Sequence, residues 1–207
     1  RIRLGSLEPV VITEDFLSRA KNTGKFCPSF HLSLQSGCDS VLKRMNRRYT
    51  TTEYKNAVDL IRKFFPDAGI TTDIIVGFKG ETEQEFENTV QNLKEIEFSF
   101  MHIFPYSERT GTMACKLPNP VPKEIANKRV KVLQELNKEF KNKFYSSNLN
   151  IVHNVLIEEV DGNLSLGYTD NYIYTYIDGE HAVGDIVQVK LIKPYLQGMK
   201  GEIIKEN

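Results

Sequence analysis

Cysteine is scarce, net charge is absent and no long apolar run occurs, and each shortage removes a class of explanation. Three cysteines, Cys27, Cys38 and Cys115, are too few and too scattered for a disulfide framework. A reducing cytoplasm is the compartment this usage suggests. Lys and Arg number 27 against 27 Asp and Glu, so bulk charge selects neither nucleic acid nor a membrane surface. No apolar stretch approaches the roughly 20 residues of a membrane span, and no basic-apolar-small signal segment opens the chain. There is no initiator Met: Arg1 leads at once into a strand-like run, which reads as a piece cut from something longer. Repeats and low-complexity segments are missing too. What remains is 207 residues, 40% hydrophobic, enough for a packed domain and a small second one.

Strand and helix signals alternate as far as residue 106. RIRLGSL (1–7) reads as a strand, and Thr13 caps a helix through Lys21 that carries Phe16, Leu17 and Ala20 on one face and stops at Gly24. SFHLSLQ (29–35) is the next strand, and Asp39 starts a short helix with Val41, Leu42 and Met45 inward. Thr50 with Glu53, and Thr82 with Glu85, fit capping boxes. Their helices bury Tyr54, Ala57, Val58, Ile61 and Phe65, and Phe86, Val90, Leu93 and Ile96. Between them ITTDIIVG (70–77) is β-branched enough to expect cover on both faces. FSFMHIFPY (98–106) is a fourth strand. Four β/α units in a row imply a parallel sheet with helices packed on it. Whether that sheet is open or curves into part of a barrel is not decided by periodicity.

In such folds ligands meet the carboxyl ends of strands. The polar strand ends here are Glu8-Pro9, Gln35-Ser36-Gly37, Gly77 with Gly80-Glu81, and Tyr106 to Thr112. IIVGFKGETEQEF leaves a strand through two glycines onto a capped helix, which exposes backbone N–H groups to a ligand or is an ordinary βα turn. Lys43, Arg44, Arg47 and Arg48 form either a solvated helix face or a guanidinium-rich site for carboxylate or phosphate. The cysteines lack the close spacing of metal or cluster ligands and read as small packing residues. His31 and His102, inside apolar strands, read as satisfied structural histidines, and His153 and His181 have no partner cluster.

SERTGTMACKLPNPV (107–121) is a loop. Pro122 opens a long helix with Ile125, Val132, Leu133, Leu136, Phe140 and Phe144 on one side. That helix is basic, with seven Lys/Arg against three Glu in residues 123–143. Beyond a boundary near 146–150, short strands are separated at Asp161-Gly162-Asn163, Asp178-Gly179, Gly184-Asp185 and Gly198, as in a small antiparallel barrel. Its Tyr168, Tyr172, Tyr174 and Tyr176 are either stacking platforms for bases or good strand composition. Nine acids against four bases in residues 151–207 oppose phosphate binding. An RNA surface is therefore expected along helix 123–143, at Lys128, Arg129 and Lys131, and the loop joining it to the barrel, unless that face is merely solvated.

HLSLQSGCDSVLKRMNRRYT, TTDIIVGFKGET and FPYSERTGT, in that order behind RIRLGSLEP, resemble the second half of a radical S-adenosylmethionine methylthiotransferase. FCPSFHLSLQSGCD is most similar to the branch acting on threonylcarbamoyladenosine in tRNA. The resemblance covers Arg1 to about residue 145, and the remainder resembles a TRAM domain, a small RNA-binding barrel. It implies an α/β fold: a partial TIM-like barrel of four β/α units over 1–147, then a TRAM-like barrel over 148–207. Carried over residue by residue, Gln35 and Ser36 would lie at the ribose and methionine end of S-adenosylmethionine. Arg47 would sit by its carboxylate, Ile75, Val76 and Gly77 along the adenine, with Tyr106 and Ser107 beside it. In such enzymes a reduced 4Fe–4S cluster cleaves the sulfonium to a deoxyadenosyl radical, which takes a hydrogen from C2 of the adenine base; sulfur and then methyl follow.

Two departures stand out. Lys79 occupies a place where the family usually has Pro, which should loosen that turn. The cluster motif CxxxCxxC does not occur in the chain and would belong upstream of Arg1, so this polypeptide is expected to be structurally competent without catalysis. The expected partners are tRNA and S-adenosylmethionine, in the cytoplasm and away from membranes. Rival readings are a methylthiotransferase acting on a ribosomal protein and a non-catalytic RNA-binding module.

Overall fold

A computed structural model describes residues 1–204 of the chain. Its first half is a four-stranded parallel sheet in the order β1 (Ser6–Leu7), β2 (Ser29–Leu32), β3 (Gly69–Val76), β4 (Phe100–Pro105). The helices between the strands are α1 (Glu14–Asn22), α2 (Asp39–Arg44), α3 (Thr51–Phe64) and α4 (Glu83–Ile96). The expected first strand is much shorter than 1–7, since Ile2 makes only an isolated bridge to Phe26. Both capping boxes are present: the Thr50 and Thr82 hydroxyls accept from the N–H of Glu53 and Glu85, whose carboxylates return to the cap N–H. These reciprocal bonds satisfy donors that a helix start otherwise leaves free.

The sheet is covered on one face only, which corrects the expectation for residues 70–77. Phe30, Leu32, Ile70, Ile74, Val76 and Met101 are buried against the helices, in one core with Leu17, Tyr54, Val58, Ile61, Leu93 and Leu133. Every second residue points the other way: His31, Thr71, Asp73, Ile75 and Phe100 are half-buried, and His102 and Phe104 are exposed. This second face is a hollow of mixed polarity, and Asp73 in mid-strand is what the β-branched composition of β3 concealed.

Helix α5 (Lys123–Ser147) runs from the sheet to the barrel, with Pro122 at its N-cap. It guards the sheet edge: Asn137 accepts from Met101 N–H (2.7 Å) and donates to Met101 O (3.0 Å), as a neighbouring strand would. Its buried side is Ala126, Arg129, Leu133, Leu136, Phe140 and Tyr145, whereas Ile125 and Val132, expected inside, are exposed.

The barrel is closed, in the order β5 (Val152–Asp161), β6 (Leu164–Thr169), β7 (Tyr174–Asp178), β9 (Gly198–Ile203), β8 (Ile186–Tyr195). It is antiparallel except for the parallel pair β7–β9. Gly198 opens β9 instead of forming a turn; a Cβ there would fall 1.9 Å from Tyr174 O. The last three residues of the expected barrel, 205–207, lie outside the described residues. The barrel is fastened to the sheet domain by the N-terminal arginines and by the turn between β6 and β7. Arg3 donates to Thr169 O (2.5 Å) and Asp170 O (3.2 Å), Arg1 to Tyr168 O and Asn154 O, and Asn171 Nδ2 to Asp67 O (3.0 Å).

Candidate functional site

At the carboxyl end of β2, hydroxyls take the place of the strand ladder. After Leu32 the β2 ladder breaks, and Tyr54 Oη and Thr72 Oγ1 donate to Leu32 O (2.8 and 2.6 Å). Tyr49 Oη bonds Ser33 O (2.7 Å) and Leu34 O (3.2 Å). Pairing resumes at Gln35, whose N–H donates to Asp73 O and whose carbonyl accepts from Ile75 N–H. Gln35 holds φ +70°, left-handed backbone that a non-glycine residue adopts at a cost of about 1–3 kcal/mol. On the neighbouring strand, Tyr106 N–H extends the ladder to Val76 O.

These ends surround a cavity of about 600 Å³ lined by Gln35, Arg44, Arg47, Ile75, Phe104, Tyr106, Ser107, Arg109 and Met113, among others. Two polar atoms there are buried and unpartnered, Tyr106 Oη and Arg44 Nε. Burial raises the Tyr106 phenol above its usual range, so it stays a donor. Its ring stands edge-on to Phe78 at 5.0 Å. Arg47 reaches Glu8 at a loose 3.6 Å, which leaves its guanidinium available. Arg44 is committed: it grips both Glu85 oxygens (2.8 and 2.6 Å) and reaches Gly80 O (3.3 Å). These bonds, with others from Ser40 and Thr82 N–H, hold the Glu85 carboxyl down at about 2. Lys43 and Arg48 are exposed, so the four cations divide between the cavity and solvent.

Of the strand-end residues, Gln35, Arg47, Ile75, Tyr106 and Ser107 meet around the cavity, and Ser36, Val76 and Gly77 do not line it. The Ser36 hydroxyl turns inward, to Cys38 N–H (3.3 Å) and Thr89 Oγ1. Val76 is in the core. Gly77 N–H donates to Glu81 Oε2 (2.5 Å), and a Cβ on Gly77 would lie 2.8 Å from Ala126 Cβ. These three shape the wall from behind. Sequence reading named no role for Phe104, Arg109 or Met113; the alternation of β4 gave a signal for Phe104, and Arg109 falls in the strand end 106–112 placed on the ligand edge, whereas Met113 had none. Lys79 does not loosen its turn: Nζ donates to Cys115 O (2.8 Å) and pairs with Glu108 (2.5 Å), tying down the loop after β4.

Arg129 is not on the basic surface expected of it. It is 4% exposed and donates to Glu81 Oε2 (2.8 Å) and Glu83 Oε2 (3.0 Å), with Phe86 beneath its guanidinium at 5.2 Å. Burial pushes the Glu81 carboxyl upward, against the pull of Gly77 N–H and Arg129. Lys128 and Lys131 are exposed on α5. In the barrel the tyrosines pack on one another: Tyr168 stacks on Tyr172 (4.5 Å, 15°), touches Tyr174 (5.0 Å), and Tyr174 meets Tyr176 edge-on (5.1 Å). Arg3 covers the Tyr172 ring at 4.8 Å.

The cavity fits a nucleoside bearing a charged amino-acid end: an apolar wall at Ile75 and Phe104, an unpartnered phenol, and a loosely held guanidinium. The cysteines do not fit an iron–sulfur cluster. Cys27 Sγ accepts from Arg1, Cys38 Sγ meets Ser40, and Cys115 Sγ bonds Arg109 O, so each is engaged in separate surroundings.

Residues 5–93 match the Radical SAM superfamily model and residues 150–204 the TRAM domain model. The threonylcarbamoyladenosine tRNA methylthiotransferase MtaB of Bacillus subtilis is 36% identical, covering 100% of this chain and 48% of its own length. The MtaB of Aquifex aeolicus is 39% identical over 91% of this chain and 45% of its own. A tRNA-2-methylthio-N(6)-dimethylallyladenosine synthase of Campylobacter jejuni is 37% identical over 99% and 48%. The chain spans about half the length of the curated relatives it matches. Among solved structures, Escherichia coli coproporphyrinogen III oxidase (HemN), described as a radical SAM enzyme, superposes with TM-score 0.52 at 14% identity, over 84% of this chain and 46% of that one. That likeness shows the fold: a partial TIM-like sheet. The resemblance read from the motifs stands, and the chain joins a Radical SAM segment to a TRAM domain.

Proposed function

We propose that this relative of the radical SAM tRNA methylthiotransferases is the part of such an enzyme that grips S-adenosylmethionine and carries the RNA-binding barrel. The division falls at 147/148, and the parent enzyme methylthiolates C2 of threonylcarbamoyladenosine in tRNA, in the cytoplasm. The observation that carries the reading is the convergence of Gln35, Arg47, Ile75, Tyr106 and Ser107 on one cavity at the strand ends. Arg47 would take the cofactor carboxylate as a charge-assisted hydrogen bond. Tyr106 Oη would donate to the nucleoside, Ile75 would lie against the adenine, and Gln35, held in its left-handed conformation, would meet the ribose and methionine end. Ser36, Val76 and Gly77 would support that wall without touching the ligand. When bound, S-adenosylmethionine supplies the sulfonium from which the family takes its chemistry. The 207 residues contain no CxxxCxxC, so the chain by itself is proposed to bind without turnover. The choice of threonylcarbamoyladenosine over dimethylallyladenosine rests on the stretch FCPSFHLSLQSGCD.

The test uses the parent protein reconstituted with iron and sulfide. Deoxyadenosine on reduction, and the methylthio form of threonylcarbamoyladenosine in treated tRNA, are the expected products; no deoxyadenosine overturns the enzyme reading. Arg47→Ala in the parent should raise the S-adenosylmethionine Kd several-fold, the loss of a charge-assisted bond worth about 1.5–3 kcal/mol. Unchanged affinity would put Arg47 on the solvated face.

A further inference from the structure

The hollow face of the sheet holds a second cluster outside the strand-end cavity. His31 on β2, Asp73 on β3 and His102 on β4 stand on three adjacent strands, with His31 in register with Thr71 and Asp73 with His102. One nitrogen or oxygen from each of the three lies within 4.8 Å of the other two. His31 is oriented from behind: Nδ1 is 2.9 Å from Thr71 Oγ1, which turns Nε2 toward Asp73 Oδ2 at 3.3 Å. The His102 ring rests edge-on against Phe100 at 4.9 Å and faces His31 at 5.8 Å. Among the described residues, neither ring nitrogen of His102 has a hydrogen-bond partner in the protein.

We propose that His31, Asp73 and His102 form a binding site for one divalent transition-metal ion of borderline softness, the class of zinc and ferrous iron. Two imidazoles and one carboxylate on one side of an ion are a donor set suited to such metals, and leave the remaining positions open. Here those positions face the hollow, where water or an oxygen, nitrogen or sulfur donor of a bound molecule can complete the shell. Three features make the set a built one. The strands carrying it are locked by a buried opposite face, so the ligand atoms are fixed by register. Thr71 supplies the hydrogen bond to the distal imidazole nitrogen that orients a ligating histidine. The remaining inward positions Thr71, Ile75, Phe100 and Phe104 carry no cation to repel the ion. The site shares no residue with the cavity described above except the wall residues Ile75 and Phe104, and it does not depend on the function proposed there.

The test is a cobalt(II) titration of the chain without an affinity tag, after chelator treatment, followed by visible absorption and zinc displacement. One equivalent should bind with d–d bands and be displaced by zinc. His102→Ala and Asp73→Asn should each weaken binding about tenfold or more, whereas Cys115→Ser and His181→Ala should leave it unchanged. His102 is exposed, so His102→Ala should keep its urea midpoint, which separates a lost ligand from a lost fold. Two results overturn the proposal: no saturable binding by about 1 mM metal, or cobalt affinity unaffected by both ligand variants. In either case His31 is a hydrogen-bonded link between Thr71 and Asp73 and nothing more.

Discussion

Arg129 Nη1 lies 2.8 Å from Glu81 Oε2, and that same oxygen accepts the Gly77 N–H at 2.5 Å. The helix leading to the barrel is thus wired through one carboxylate to the turn that backs the cavity. Removing Arg129 strands a buried charge, a loss of about 3–5 kcal/mol. Arg129→Ala should therefore sharply lower the urea midpoint. Arg129→Met with Glu81→Leu should cost much less than the two single changes added together. An additive double variant would mean that the pair is not coupled.

Lys128 and Lys131 lie on the exposed side of the same helix, so Lys128→Ala with Lys131→Ala should change stability by no more than about 0.5 kcal/mol each. If they contact RNA, the double variant should bind tRNA more weakly and with a shallower salt dependence, by about one unit of slope per lost phosphate contact. Filter binding across a salt series measures this. An unchanged slope places the RNA elsewhere.

Glu85 makes stability depend on acid. Its carboxyl is lowered from 4.5 to about 2, first by the Arg44 hydrogen bonds. A depressed folded value means the contribution is complete above pH 4.5 and is lost as pH falls toward 2. The gap in unfolding free energy between the unchanged protein and Glu85→Gln should be widest at neutral pH and close across that window. A gap constant from pH 7 to pH 2 would remove the ion pair as its source.

Gly77→Ala meets two obstacles, a φ of +75° and Ala126 Cβ at 2.8 Å. The backbone conformation alone should cost about 1–3 kcal/mol. Adding Ala126→Gly should relieve the contact but not the dihedral, so thermal unfolding should show partial recovery. Full recovery would show that φ carries no penalty there.

Much of this was legible because it is local. Thr50 with Glu53 and Thr82 with Glu85 announce their helices by hydrogen bonds that span three residues, and the four strands follow from composition and spacing. The failures are of another kind. Arg129 was read as surface because it is charged, although it follows Ala126 by three and precedes Leu133 by four, squarely on the buried stripe; only Glu81, 48 positions away, makes that burial tolerable. Strand β3 was read as doubly covered because its residues are β-branched, while Asp73 at its centre marked an open face. Ser36 and Gly77 carry the right letters for a ligand site, but which way each points depends on Thr89 and Ala126, contacts no local pattern encodes. The meeting of His31 with His102 likewise needs the register of three strands.

The joint between the two halves has its own consequence. Arg1 and Arg3 donate into carbonyls 153–167 positions further along the chain, and Asn171 reaches back to Asp67. A Cβ on Gly69 would sit 2.2 Å from Asn171 O, so the two surfaces meet without a spare atom between them. Contacts from both halves of the sequence thus tie the barrel to the sheet domain. A molecule long enough to touch both the tyrosine ladder and the mouth of the cavity would meet two surfaces tied together at these points.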